Sequence, residues 1–295
     1  MKILTIIVTY NGLRWIEKCI QSVLSSDIQS DCFVVDNGSS DGTQELIQEK
    51  YPEVIFVQSK ENLGFGKANN IGIRYAIEKG YKYIYLLNQD AYLFPDTLRN
   101  LIRTSESFPE YGILSPMQLQ GNQKHFDTNF VKSVAQWESG TSVIEDLYYG
   151  RFQEVYPLKD VLAANWLITR RCFTKVGGFS TSFPHYGEDN NYCHRALFHK
   201  FKVGIATNAK AIHDTEFRTN SVQKEMYLLH MLNVSIMNNI YDPQSLPLLR
   251  TLINSIKASL AFKSFKPIMN EIKLCGNIFL YSKNRRLSRG EGAFL

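Results

Sequence analysis

The sequence predicts an α/β protein: a mostly parallel sheet flanked by helices, followed by a helical, basic C-terminal region. Three observations predict it. Short apolar runs alternate with helically spaced segments over the first 120 residues. The runs are nearly continuous in apolar residues, as expected of strands buried on both faces. From about residue 222 the strand-like runs stop and helical spacing takes over.

The elements follow in order. ILTIIVTY (3–10) is rich in β-branched residues and reads as a strand. Leu13, Ile16, Ile20, Val23 and Leu24 recur at helical spacing and predict a helix over 13–25. CFVVD (32–36) is a second strand, 41–51 a short helix and VIFVQ (54–58) a third strand. A helix over 67–79 leads to a fourth strand, YIYLLN (83–88). The next helix, 95–108, opens with Pro95, whose fixed φ suits a first turn. GILSPMQLQ (112–120) is a further strand. Residues 121–160 are polar and aromatic without a clear period, which predicts loops or a small hairpin. Residues 161–180 return to strand, short helix and a Gly177-Gly178 turn, and 189–200 and 202–207 read as helix and strand. Breaks are expected near Pro243, Pro247 and Pro267.

This divides the chain into 1–220, with halves at 1–120 and 121–220, and a helical region 221–295. Net charge is +5, yet residues 250–295 alone carry +7, so the remainder is slightly acidic. A basic tail suits an anionic surface, lipid or nucleic acid, and a solvated helical face is the other reading of its charges. The stretch LPLLRTLINSIKASLAFKSFK (246–266) has the pattern of a helix lying on an anionic membrane, or of one packed on the core or a second subunit. The five cysteines are scattered and never in CxxC spacing, which predicts a reduced, cytoplasmic chain without structural zinc. No leader peptide is expected, because Met1-Lys2 runs straight into a strand, and no apolar run reaches the ~20 residues of a spanning helix.

Ligands of such sheets bind outside the carboxyl ends of the strands. Those ends are Thr9-Tyr10-Asn11-Gly12, DNGSSDGT (36–43), ENLGFGKANN (61–70) and NQDA (88–91). Each alone reads equally as a turn or helix cap. Four polar ends on one edge point to a ligand cleft. Asp36 offers an acceptor to a base or ribose, with Thr9 and Asn11 lining the same nucleotide. Asp90, with Asn88, offers oxygen ligands to a divalent cation carrying phosphates. A second constellation is FPHYGEDNNYCHRA (183–196), where Gly187 gives a tight turn and Glu188 and Asp189 open a helix. His213 follows a strand and is a third candidate, as a metal ligand or a structural histidine.

The ordered set TIIVTYNG, VVDNGSSDGT, ENLGFGKANNIGI, LLNQDA and GGF…YGED, with a late histidine, resembles the family 2 glycosyltransferases of GT-A fold over residues 3–218. Within them it is most similar to bacterial rhamnosyltransferase-like members that build cell-surface glycans. The resemblance implies nucleoside contacts at Thr9, Asn11 and Asp36, with Asn37 beside them. It implies nucleotide-sugar contacts at Asn62, Gly64, Gly66 and Asn70, and a metal and diphosphate motif at Asn88 and Asp90. Asp189 matches the general base, with Glu188 as second candidate, and His213 a residue that approaches the metal. Trp166 lies where members place acceptor-side groups, and a core aromatic is its other reading. Asn88 stands where many members have Asp, and His213 is followed by Asp214-Thr215-Glu216 in place of small residues.

The implied reaction is inverting transfer of a sugar, rhamnose among the candidates, from a dTDP- or UDP-sugar to a hydroxyl of a glycan or lipid-linked acceptor. Mg²⁺ or Mn²⁺ is the implied cofactor. Asp189 must be ionised, which needs a partner or solvent, and Arg195 is one candidate partner. Peripheral membrane contact through the C-terminal region is expected, and no nucleic acid partner. A non-catalytic nucleotide-sugar-binding protein on the same fold is the competing reading. NLGFGKAN follows the third strand and does not make a dinucleotide fingerprint.

Overall fold

The computed structural model describes residues 2–135, 138–215, 221–241 and 246–295. The N-terminal elements are β1 (Ile3–Thr9), α1 (Ile16–Leu24), β2 (Asp31–Asp36), α2 (Thr43–Lys50), β3 (Ile55–Gln58), α3 (Phe65–Glu78), β4 (Tyr83–Asn88), β5 (Ala91–Leu93), α4 (Thr97–Ser107) and β6 (Tyr111–Leu119). There follow α5 (Thr128–Ala135), α6 (Glu138–Tyr149), β7 (Val155–Leu158), β8 (Asn165–Thr169), α7 (Arg170–Val176), α8 (Glu188–Phe198) and β9 (Lys202–His213). The chain ends in α9 (Val222–Met237), α10 (Leu246–Phe262), α11 (Lys266–Gly276) and α12 (Ile278–Leu287).

Among the described residues the strands form one sheet in the order β3-β2-β1-β4-β8-β6-β9-β5, with β7 on β9. The parallel character expected of most of the sheet belongs to β3-β2-β1-β4 and to the β6–β9 pair. β8 runs antiparallel to both neighbours, and β5 and β7 run antiparallel to β9. Alternate residues of β1 feed two cores. Leu4 and Ile6 pack with Ala68 and Ile73 of α3, while Ile3 and Ile7 pack with Ile16 and Ile20 of α1. That double burial is why the strands read as continuous apolar runs.

Register sets the functional edge. Thr9 pairs with Asp36, Asp36 with Gln58 and Val8 with Asn88, so the polar ends of four parallel strands finish level.

Several elements depart from expectation. Residues 121–160 hold α5, α6 and β7 where loops or a hairpin are expected. α5 buries only Phe130 and Val134, too few apolar positions to set a period. β9 extends to His213, well past the expected 207, because the pairing slips where Pro116 opposes Ala206 and Met117 opposes Lys210. Asn208 in that bulge is held by hydrogen bonds to Thr104 Oγ1 (3.1 Å) and Glu154 Oε1 (3.3 Å), partners far away in sequence. β5 is three residues long, below what periodicity resolves.

The C-terminal helices pack a core of their own around Phe183, with Met231, Val234, Met237, Leu274 and Tyr281. Pro267 starts α11, as its fixed φ favours. The last residues return to the sheet domain: Gly178 N–H donates to Ala293 O (2.8 Å) and Gly292 N–H to Lys175 O (2.9 Å). The division expected after residue 220 borders 216–220, which with Glu216 and Pro243 lies outside the described residues. All five cysteines are free thiols, and among the described residues no helix is long and apolar enough to cross a membrane.

Candidate active site

The strand ends are tied to one another before any ligand arrives. Thr9 Oγ1 and Tyr10 N–H both donate to Gln89 Oε1, at 2.7 and 2.8 Å. Asp36 is buried and accepts from Gly38 N–H and Ser39 N–H (3.0 Å each), Gln44 Nε2 (2.8 Å) and the Ser39 hydroxyl. Asn11 adopts a left-handed backbone with φ 48°, and its Oδ1 accepts from Ser40 N–H (2.9 Å). Asn37 holds the turn before α3, accepting from Leu63 N–H (3.3 Å) and donating to Gly64 O (3.4 Å). Gly64 has φ +79°, and a Cβ there would lie 2.2 Å from Pro184 O, so only glycine fits. Beside these residues lies a cavity of about 640 Å³ lined by Asn37, Asn62, Gly64, Asn88, Gln89 and Asp90.

The pairing of β5 with β9 sets Ala91 opposite His213. His213 Nε2 thereby comes 3.7 Å from Asp90 Oδ1, and its Nδ1 3.7 Å from Asp127 Oδ2. Asp127 is fully buried and accepts from Phe130 N–H and the Thr215 hydroxyl, each at 2.8 Å. Asn88 Oδ1 is buried with no hydrogen-bond partner among the described residues, and Asn88 lines this cavity and the next. These residues fit a divalent cation. Two bonds of about 2.1 Å span the gap from Asp90 to His213, and oxygen and imidazole donors suit manganese or magnesium. Among the described residues no three His, Cys, Asp or Glu side chains are placed to hold one ion together, so phosphate oxygens and water would complete the shell.

A larger cavity, about 910 Å³, adjoins the first and shares Phe65, Asn88, His185, Tyr186 and Lys224 with it. Glu188 and Asp189 line it from the first turn of α8, which follows Gly187 at φ +86°. Burial, then the Asp189 charge, pushes the Glu188 carboxyl up to about 8. Burial also raises Asp189, but N–H groups of Asn190, Asp189 and Ala163 favour its charged form. Of the two, Asp189 has the N–H contacts that favour charge, and Glu188 is the one pushed up far enough to hold a proton.

Four expectations are corrected here. Trp166 is fully buried and stacked on Phe179 (ring centroids 6.4 Å apart), so it belongs to the core and not to an acceptor surface. Its pairing opposite Leu86 in mid-sheet put it there. Asn70 spends its amide on Phe179, accepting from its N–H (2.6 Å) and donating to its O (3.0 Å), and lines neither cavity. Gly66 provides room for Phe179, whose Cβ would lie 2.9 Å from an added Cβ. Arg195 does not reach Asp189: it donates to Gly178 O (2.5 Å) and Val176 O beneath the Phe294 ring, where burial lowers its pKa to about 10. Thr9, Asn11 and Asp36 stand beside the cleft, each held by hydrogen bonds to the neighbouring strand-end turns. Conversely, Gln89, Asp127, Asp214 and Lys224 are part of the site or its support without having been singled out. Gln89 stood inside the NQDA motif; Asp127 and Lys224 carried no local signal.

Residues 5–154 match the description Glycosyl transferase family 2, and residues 83–271 match Glycosyl transferase family group 2. The chain belongs to glycosyl transferase family 2. This family 2 chain is 24% identical over 182 residues to a low-salt glycan biosynthesis hexosyltransferase, Agl10, of Haloferax volcanii, covering 61% of this chain and 58% of that one. It is 22% identical to the dTDP-rhamnosyl transferase RfbF of Shigella flexneri, over 72% of this chain and 68% of the relative. It is 26% identical to an N-acetylglucosaminyl-diphospho-decaprenol L-rhamnosyltransferase of Mycobacterium tuberculosis, over 62% and 66%. The chain thus spans somewhat more than half the length of the Haloferax relative. Its fold is GT-A, shared with the mannosyltransferase PcManGT of Pyrobaculum calidifontis, solved with GDP-Man and Mn²⁺ (TM-score 0.61, 17% identity, 97% of this chain and 83% of that one). S. aureus TarS bound to UDP is also similar (TM-score 0.55, 15% identity, 84% and 69%).

Proposed function

We propose that this chain is an inverting glycosyltransferase of cell-surface polysaccharide synthesis, using a dTDP- or UDP-sugar and a glycan or lipid-linked acceptor. The observation that carries the reading is continuity: the cavity at the strand ends opens through Asn88, Phe65 and Lys224 onto the Glu188-Asp189 pair. Rhamnose is the donor sugar we put first, because two of the relatives are named for its transfer.

In this reading the nucleoside lies along β1, β2 and the turn at Gly64, and the sugar reaches Asp189. Asp189 takes the proton of the acceptor hydroxyl as its oxygen bonds to the anomeric carbon. The carbon–oxygen bond to the diphosphate breaks on the opposite face, and its electron pair leaves with the phosphate. Glu188, protonated, keeps a second negative charge away from the base. Asp90 and His213 would hold the cation, which as a Lewis acid offsets charge on the leaving diphosphate when bound.

A peripheral membrane contact accompanies the reading. On α10, Leu249, Ile253, Ile256 and Leu260 recur at helical spacing and are exposed, as are Phe265 (81%) just ahead of α11 and Phe279 (86%) on α12. Nine Lys and Arg residues accompany them between 250 and 295. Apolar anchors among cations suit an anionic bilayer surface.

The testing experiment is a thermal-shift panel of nucleoside diphosphates and nucleotide sugars, with and without Mn²⁺ or Mg²⁺, followed by transfer to glycan acceptors. A base-selective, metal-dependent rise and turnover of the matching donor are expected. Binding without turnover on any acceptor would favour the non-catalytic reading, and no binding would remove both.

A further inference from the structure

Lys224 lies in the first turn of α9, in the C-terminal region, yet lines both cavities. A diphosphate that joins a nucleoside at the strand ends to a sugar beside Asp189 must cross the strip the two cavities share. Among the described residues lining the nucleotide-side cavity, Lys224 is the only lysine or arginine. The carboxylates around it are Asp90 and Asp214 in that cavity and Glu188 and Asp189 in the other. Such a surface repels a polyanion unless cations answer it. A single divalent ion beside Asp90 is already partly neutralised by that carboxylate, and Asn88 contributes a dipole but no charge.

The helix that carries Lys224 is anchored to the site. Ser221 Oγ accepts from Lys224 N–H (3.2 Å) and caps α9. One turn on, the Tyr227 hydroxyl donates to His185 O (3.1 Å), and its ring meets Tyr186 edge to face at 6.3 Å. His185 and Tyr186 belong to the loop that leads into Gly187 and the carboxylate pair. The lysine stem therefore starts from a backbone fixed against the wall of the cleft.

We propose that Lys224 is a further catalytic residue: its ammonium binds the donor diphosphate and stabilises the charge that gathers there as the glycosidic bond breaks. The inference rests on the glycosyltransferase reading. The ammonium donates hydrogen bonds to phosphate oxygens, whose charge grows as they receive the electron pair of the broken bond. A lysine suits this as a compact cation on a flexible stem.

The test is calorimetric titration of wild type, Lys224→Met and Lys224→Arg with UDP and dTDP, and with uridine and thymidine, in Mg²⁺. Lys224→Met should weaken the preferred diphosphate by roughly 10- to 100-fold. Nucleoside affinity should stay within about twofold, and Lys224→Arg should recover most of the loss. Wild-type diphosphate affinity in Lys224→Met would overturn the assignment while leaving the glycosyltransferase reading intact. Equal losses for diphosphate and nucleoside would also overturn it, since they would mark a structural role. Wild type that binds no nucleoside diphosphate would overturn both readings together.

Discussion

His213 Nε2 lies 3.7 Å from Asp90 Oδ1, although one residue ends β9 and the other follows β4. Two donors that share a cation should fail together. Asp90→Asn and His213→Ala are each expected to abolish the Mn²⁺-dependent part of stabilisation by a nucleoside diphosphate. In wild type that ligand, at 100 times its dissociation constant, contributes about 2.7 kcal/mol. The double variant should lose little beyond either single one, because both changes remove the same bound ion. A full metal response in either single variant would refute the pairing.

The Glu188-Asp189 pair gives a kinetic prediction. Asp189→Asn removes the proton acceptor and should cost about 10²- to 10⁴-fold in turnover, with donor binding kept. Glu188→Gln imitates the protonated acid and should be at least about tenfold milder. Steady-state kinetics at neutral pH decides; the reverse ranking would make Glu188 the base.

The same pair gives a pH dependence. Glu188 keeps its proton to about 8 in the folded chain, against an ordinary value of 4.5. The folded state thus binds more protons across that window, and stability falls as pH rises through it. Melting temperature should decline from pH 4.5 to 8, and the decline should be shallower in Glu188→Gln. Parallel profiles for the two proteins would count against the buried acid.

Gly64→Ala tests the turn that faces Pro184. The added methyl meets Pro184 O in a backbone with positive φ. A loss of about 1–3 kcal/mol is expected on denaturant unfolding, with weaker nucleotide binding as the turn is pushed aside. Unchanged stability and affinity would show that the two walls separate freely.

Asn70→Ala separates a staple from a ligand. It leaves the N–H and O of Phe179 without their amide partner, at a cost of about 1–3 kcal/mol. Donor affinity should hold. Lost affinity at wild-type stability would return Asn70 to the binding site.

Leu260→Ser, Phe265→Ser and Phe279→Ser test the exposed apolar face. Removing residues from 245 onward would serve poorly, because Leu274 and Tyr281 pack on Phe183 and the tail holds Gly178. The triple variant should fold normally and lose recovery with anionic vesicles in a flotation assay. Equal recovery of variant and wild type would dismiss this surface as the anchor.

The sequence by itself determined the alternation of β1 to β4 with their helices, since each strand is buried on both faces and each helix on one. It determined the level edge of polar ends, because parallel strands of similar length finish together, and it determined the acidic pair at the start of α8, because Gly187 marks the turn. Tertiary structure decided which of those residues face the cleft. Period and composition place Asn70, Trp166 and Arg195 on elements, but only packing shows that Phe179, Tyr192 and the returning Phe294 enclose them. It also decided the unions of distant segments: Asp90 and His213 with Asp127, and Lys224 with the cleft. The physical reason is that these contacts come from strand pairing and helix docking between residues far apart in the chain, and no local pattern encodes which distant backbone will lie alongside.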